Sequence, residues 1–205
     1  MNRFRLPGVL AVCVVVAGSL AVATSCATSA DAKSTVSSMS SFGLEVAKVK
    51  DSIDGALKGL ETVVGSQPAD VRANIDAYSR SVDALDGQAK VVKRRAEEMK
   101  SMGDEFFKEW EPPKSVSKER RAELTSSFGK IKTDMASAKE AFAPFLASLK
   151  DVQGYLKMDP STKATGSMTE LVQKAKDAGT RVQSLIDDVL NQVNSVRGML
   201  PTKGS

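Results

Sequence analysis

The sequence predicts an all-α fold: an elongated antiparallel helical bundle or coiled coil of about four long helices. Apolar residues recur at alternating spacings of three and four through most of the chain, which places them on one stripe of a helix. Recognisable alternating strand patterns are missing. The aromatic share of only 5% also argues against a large β-rich core.

The clearest periodicity lies in residues 124–156, where the apolar residues follow an unbroken 4,3,4,3 rhythm. At about 1.5 Å rise per residue, this helix would be roughly 50 Å long. Pro144 lies in its middle, and an interior proline costs about 3 kcal/mol and usually kinks a helix. Burial of the flanking Phe142 and Phe145 would offset that cost, so we expect a kinked but continuous helix. The stripe consists of Leu124, Phe128, Ile131, Met135, Ala138, Phe142, Phe145, Leu149, Val152 and Leu156.

Two further helices are predicted before this stretch. The first spans about residues 33–64, and a Gly-Ser-Gln-Pro turn follows it at 65–68. The second ends at Pro112-Pro113, because neither proline can donate the helical hydrogen bond, and should fold back against the third, for which Ser117 is the expected N-cap. The two stripes are Met39, Phe42, Val46, Val49, Ile53, Ala56, Leu60 and Val63, and then Val71, Ile75, Tyr78, Val82, Leu85, Ala89, Val92, Ala96, Met99, Gly103, Phe106 and Trp110, in which Gly103 alone interrupts the apolar series.

The last helix follows a connection at residues 159–166 and is predicted to open with a capping box at 167–170, Ser-Met-Thr-Glu. It is expected to end at Gly198 and Pro201. Its apolar stripe is wide enough to touch two neighbours, which indicates a bundle of three or more helices. The stripe consists of Leu171, Val172, Ala175, Ala178, Val182, Leu185, Ile186, Val189, Leu190, Val193 and Val196.

The amino-terminal segment predicts export. Arg3 and Arg5 precede an apolar run at residues 6–23, and small residues then precede Cys26, the three-part form of a secretory signal. The run Ala-Thr-Ser-Cys at 23–26 resembles the lipobox of bacterial lipoproteins, whose cysteine is diacylated and becomes the new amino terminus. An uncleaved transmembrane anchor and simple secretion are the alternatives. We predict a lipoprotein-type signal peptide at 1–25, a flexible tether at 26–32, a helical bundle domain at 33–200 and a tail at 201–205.

Lipidation at Cys26 would place the protein in the cell envelope, on a membrane surface facing out of the cytoplasm. By resemblance to other lipoproteins, Ala27 after the cysteine points to the outer membrane, with the bundle facing the periplasm. Removal of Arg3 and Arg5 would reduce the formal charge from +4 to about +2, which steers no partner strongly.

The usual general base and commonest transition-metal ligand, histidine, is missing. The chain has no histidine, and its two cysteines, Cys13 and Cys26, both lie in the amino-terminal segment, so histidine-dependent catalysis is excluded and a disulfide framework of the bundle is not expected. Adjacent acidic residues such as Asp187 and Asp188 point about 100° apart on a helix, so they cannot jointly flank one substrate atom. A solvated helix face is therefore the favoured interpretation of these pairs. We expect no enzyme, no catalytic residue, no metal and no cofactor.

Two features of the second helix are candidate contacts. The first is a basic run that either forms a solvated face or meets an anionic envelope surface. It consists of Lys90, Lys93, Arg94, Arg95 and Lys100. Phe107 lies off the apolar stripe in an aromatic cluster, where it either closes the tip of the hairpin or contacts a partner or lipid. Nucleic acid is not an expected partner, because export and the lack of stacking aromatics near the basic run argue against it.

Several segments resemble a bacterial family of domain-of-unknown-function proteins, number 2959. They are Glu-Phe-Phe-Lys-Glu-Trp-Glu at 105–111, Ala-Pro-Phe-Leu at 143–146, Leu-Lys-Asp-Val at 149–152 and Tyr-Leu-Lys at 155–157. The resemblance covers roughly residues 40–198 and implies an exported, helical lipoprotein. It implies no activity. The chain departs from the family's pattern after Lys157, where Met-Asp-Pro-Ser replaces the family's usual histidine and asparagine stretch.

Two functions follow as hypotheses. The first is a membrane-anchored, non-enzymatic envelope lipoprotein that acts as a helical scaffold or binds a protein partner, whose oligomeric state the heptads leave open. The second is a carrier of lipid or another amphiphile, with a groove along the last helix. A cavity lined by Leu185, Ile186, Val189 and Leu190 would favour the carrier.

Overall fold

The computed structural model describes residues 29–110, 117–161 and 168–200, and four long helices account for most of them. Helix α1 spans Ser29–Val64, α2 spans Val71–Glu109, α3 spans Lys118–Met158 and α4 spans Thr169–Met199. No strand occurs in these three ranges. The prediction of an all-α helical bundle is confirmed.

The helices form a ring in which each one packs against two neighbours. Helix α1 packs against α2 and α4, and α3 packs against α4 and α2, the last being the smallest of the four interfaces. Cross-helix contacts show that α1 and α4 run antiparallel: Lys50 of α1 pairs with Asp187 of α4 at 2.6 Å, whereas Glu61, farther along α1, pairs with Lys176, which comes earlier in α4. The pairs Lys132–Asp104 and Lys150–Asp86 show the same for α2 and α3. The topology is an up-down-up-down four-helix bundle.

The predicted stripes form most of the core. All eight stripe residues of α1 are buried. Helices α2 and α3 each bury their stripe except at three consecutive positions near the middle, where the side chains are only half-buried. On α4 Leu171 is 49% exposed, and Ala178, Leu185 and Leu190 are half-buried. The half-buried positions are Ala89, Val92 and Ala96 on α2, and Met135, Ala138 and Phe142 on α3.

Two helix starts differ from the predictions. Helix α1 begins at Ser29, so residues 29–32, predicted as part of the tether, are helical, and Ala32 is buried in the core. Helix α4 begins at Thr169 with Met168 at its N-cap and no capping hydrogen bond from that side chain. Met168 is itself buried, which helps to hold this end in place. Ser167, the expected cap, lies outside the described residues.

Helix α3 confirms two details of the prediction. The Ser117 hydroxyl accepts a hydrogen bond from the backbone N–H of Arg120 at 3.2 Å, as an N-cap does. The helix also continues through Pro144 without a break. Phe145 is buried, whereas Phe142 is half-buried rather than part of the closed core.

Helices α2 and α3 meet closely near one end of their interface, at Gly103 and Phe128. A Cβ atom on Gly103 would lie 2.1 Å from Cζ of Phe128, so only glycine leaves room for the ring. The Phe128 ring also packs 5.0 Å from the ring of Phe107, and Phe106 stacks on Trp110 at 5.5 Å. The glycine that interrupts the stripe therefore allows the two helices to approach.

Towards the opposite end, buried polar groups join the same two helices. The hydroxyl of Tyr78 donates to the backbone carbonyl of Leu149 at 2.9 Å, and burial raises the pKa of Tyr78 above its ordinary value. The side-chain amide of Gln153 donates to the backbone carbonyl of Ser79 at 3.3 Å and to Asp83 at 3.2 Å. The interface of α2 and α3 is thus held on both sides of its middle.

Candidate functional site

Between these two contacts, α2 and α3 separate and leave a groove with a cavity volume of about 460 Å³. Its walls are the half-buried stripe positions of the two helices. Three of these six positions are alanines, Ala89, Ala96 and Ala138, whose side chains are too short to meet across the interface. The groove is therefore produced by the residue types of the stripes, while their spacing stays regular.

The floor of the groove is apolar. Helix α1 contributes Phe42, Val46 and Val49, and helix α4 contributes Val182, Ile186 and Val189. The lining residues from these two helices include no polar or charged side chain. A ligand that enters between α2 and α3 would therefore meet only aliphatic and aromatic groups at depth.

Charged side chains line the groove only from its walls, α2 and α3. Five are lysines and two are acids. Asp86 accepts hydrogen bonds from Lys90 at 2.9 Å and from Lys150 at 3.1 Å, and these bonds hold the pKa of the Asp86 carboxyl below its ordinary value. Lys132 donates to Asp104 at 2.6 Å. The charged lining residues are Asp86, Lys90, Lys93, Glu97, Lys100, Lys132 and Lys139.

The charged lining residues on α2 and α3 form the rim of the groove, and its opening between them is the mouth. Three of the rim lysines have no ion pair with any residue in the described ranges: Lys93, Lys100 and Lys139. Glu97 likewise makes no ion pair within 4.0 Å among the residues that are described. The mouth therefore carries three uncompensated positive charges and one negative charge, above an apolar floor.

The three basic residues predicted as contacts lie on two different surfaces of α2. Lys93 lies on the rim of the groove, whereas Arg95 pairs with Glu98 at 2.8 Å and Arg94 lies 4.0 Å from the same carboxylate. Neither arginine lines the groove. Successive helical residues point about 100° apart, which is why one run of basic residues serves two surfaces.

Phe107 is half-buried, with its ring 5.1 Å from Phe106 and 6.2 Å from Trp110. Phe107 thus packs against the hydrophobic core cluster. Cys26, the predicted lipidation site, lies outside the described residues.

The groove differs in position from the hypothesis drawn from the sequence. Ile186 and Val189 line it, but Leu185 and Leu190 do not, and the opening lies between α2 and α3 instead of along the last helix. Lys132 and Lys139 were missed as rim residues. Lys132 lies three residues before Met135 and Lys139 one residue after Ala138, so both lysines flank the apolar stripe. That flanking position was the signal in the sequence that could have identified them as rim residues.

The site offers shape and charge for non-covalent binding. None of the described residues form a group of acids or cysteines that could hold a metal ion. Nor does any helix in these ranges combine the length and apolar character needed to cross a membrane.

The comparison with known families matches residues 44–199 to the DUF2959 model, described as protein of unknown function. No curated protein and no solved structure matches the chain significantly. Of the segments that carry the family resemblance, 143–146 and 149–152 supply Phe145, Leu149 and Val152 to the core. The matched range includes more than half of the chain, and the chain therefore belongs to the DUF2959 family.

Proposed function

We propose that this protein is a non-enzymatic binding protein of the cell envelope, which holds the apolar chain of an amphiphile in the groove between α2 and α3. The observation that carries the proposal is the cavity of about 460 Å³ with an apolar floor in the middle of the bundle. This volume falls within the range of about 300–1,000 Å³ that is usual for ligand pockets.

The groove is elongated along the helices. Its lining on α2 extends from Asp86 to Lys100, about 21 Å at the helical rise per residue, which suits an extended apolar chain. Each methylene group buried would contribute about 0.8 kcal/mol.

The scaffold hypothesis makes a different demand on the bundle. A spacer gains nothing from a central cavity, because unfilled apolar space lowers the stability of a core. The presence of alanines where longer apolar side chains would close the interface therefore supports binding. A protein partner on the outer surface remains compatible with this proposal.

Filling the groove tests the proposal. We expect the double substitution A96L/A138L to weaken binding of a fluorescent palmitoyl probe with an uncharged head at least about tenfold, because about six added methylene or methyl carbons would occupy the space of the chain. The same substitutions should not lower the melting temperature. The measurement is a fluorescence titration of the full chain carrying Cys26→Ser, so that no acyl chain of its own competes.

The matched control is A73L/A147L, which makes the same change at exposed positions of α2 and α3 and should leave binding unchanged. Absence of probe binding to the unfilled protein, or equal binding by the filled one, would remove the basis of the proposal.

We further propose that acylation of Cys26 anchors the protein, in the outer membrane and facing the periplasm. Since α1 begins three residues later at Ser29, the anchor would hold that end of the bundle within about 11 Å of the lipidated residue. We expect Cys26→Ser to abolish incorporation of a fatty-acid analogue and to move the protein out of the membrane fraction. Labelling that persists in the variant would refute the assignment, and fractionation of inner and outer membranes tests the location.

A further inference from the structure

Building on the proposed groove function, we infer that the ligand is a single-chain anionic amphiphile, whose carboxylate or phosphate head lies at the mouth of the groove among Lys93, Lys100 and Lys139. The inference adds the charge of the ligand and the place of its head to the apolar chain proposed above.

The distribution of charge across the depth of the groove is the first argument. The floor from α1 and α4 is entirely apolar, and every charged lining residue belongs to α2 or α3 at the mouth. A ligand with one apolar end and one charged end fits this gradient in only one orientation, with its chain towards the floor and its head at the rim.

The sign of the charge follows from the ion pairs. Asp86 already has two lysine partners, and Lys132 is paired with Asp104. Lys93, Lys100 and Lys139 have no acidic partner among the described residues, and they outnumber Glu97, the one unpaired acid of the lining. An anionic head would gain favourable interactions that a cationic or neutral head would not.

The register of the two walls places the three lysines around one point. The ion pairs Lys132–Asp104 and Lys150–Asp86 define which residues of antiparallel α2 and α3 lie at the same level. By that register Lys139 of α3 lies level with Glu97 of α2. Glu97 in turn lies between Lys93 and Lys100, which are separated by about 10 Å along α2. The three ammonium groups therefore flank the mouth from both walls.

Three probes with the same palmitoyl chain test the inference: palmitate, palmitoyl lysophosphatidate and uncharged monopalmitoylglycerol. We expect both anionic probes to bind the Cys26→Ser chain about tenfold more tightly than the neutral one at low salt, with the preference shrinking as salt screens the charges. The tighter of the two anionic probes identifies the head as carboxylate or phosphate.

The triple variant K93Q/K100Q/K139Q should bind all three probes within about twofold of one another, while its affinity for the neutral probe stays unchanged. Glu97→Gln should act in the opposite sense and strengthen binding of the anionic probes about twofold. The control K58Q/K118Q/K157Q removes three exposed lysines that do not line the groove and should retain the full preference.

The outcomes separate the two proposals. If all probes bind equally to the unsubstituted groove, or if the triple variant keeps the preference, the anionic inference is wrong while chain binding stands. If no probe binds, the proposed function and the inference both fall.

Discussion

Replacement of Phe128 by alanine is expected to lower the free energy of unfolding by about 3–5 kcal/mol, the usual cost of removing a buried phenylalanine. The ring is 2% exposed and fills the space left by Gly103. It also packs 5.0 Å from the Phe107 ring, and the ammonium of Lys132 lies 5.2 Å from its centroid. Urea denaturation monitored by circular dichroism provides the measurement.

The same contact predicts that the effect of Gly103→Ala on the free energy of unfolding depends on whether Phe128 is present. In the natural background the new Cβ would lie 2.1 Å from the Phe128 ring, and such overpacking typically costs about 1–3 kcal/mol. This cost should equal or exceed the gain of about 1 kcal/mol that alanine brings to a helix interior. In the Phe128→Ala background the clash is gone, so G103A should stabilise by about 1 kcal/mol.

Gly87→Ala is the matched control on the same helix, because a Cβ there has no neighbour within 4 Å. It should stabilise the protein by about 1 kcal/mol in both backgrounds. Equal stabilisation by G103A and G87A in the natural background would contradict the close approach of α2 and α3 at Gly103.

Replacement of Pro144 by alanine is expected to raise the free energy of unfolding by up to about 3 kcal/mol. Proline lacks the N–H that would donate to the carbonyl of Glu140 within continuous α3. Its own side chain is exposed, so the substitution removes no core packing. Alanine restores the hydrogen bond and has the highest helix propensity.

Pro144→Gly separates the two contributions, since glycine restores the N–H but has a helix propensity about 1 kcal/mol lower than alanine. It should therefore stabilise by about 1 kcal/mol less than P144A. A loss of stability in both variants would contradict the prediction and show that the packing of Phe142 and Phe145 requires the backbone shape imposed by proline.

Much of the fold follows from local spacing. Every stripe residue of α1 from Met39 to Val63 is buried as predicted, and the Ser117 cap was readable because capping depends on a few consecutive residues. The start of α1 could not be predicted in the same way, because its extension to Ser29 accompanies the burial of Ala32 in the core of the bundle.

The groove depends on relations that spacing does not encode. Ala96 and Ala138 count as apolar in a heptad pattern just as leucine does, so neither stripe showed a gap at these positions. Whether they close depends on the length of the side chains that face each other from different helices.

The sequence by itself determined which face of each helix is buried, because 3.6-residue periodicity is a property of each helix alone. Only the tertiary structure decided that α2 and α3 separate in their middle, and that Lys93, Lys100 and Lys139 share one mouth. Those features depend on which side chains of different helices face each other, a relation between distant stretches of chain that the pairs Lys132–Asp104 and Lys150–Asp86 and the contact of Gly103 with Phe128 reveal.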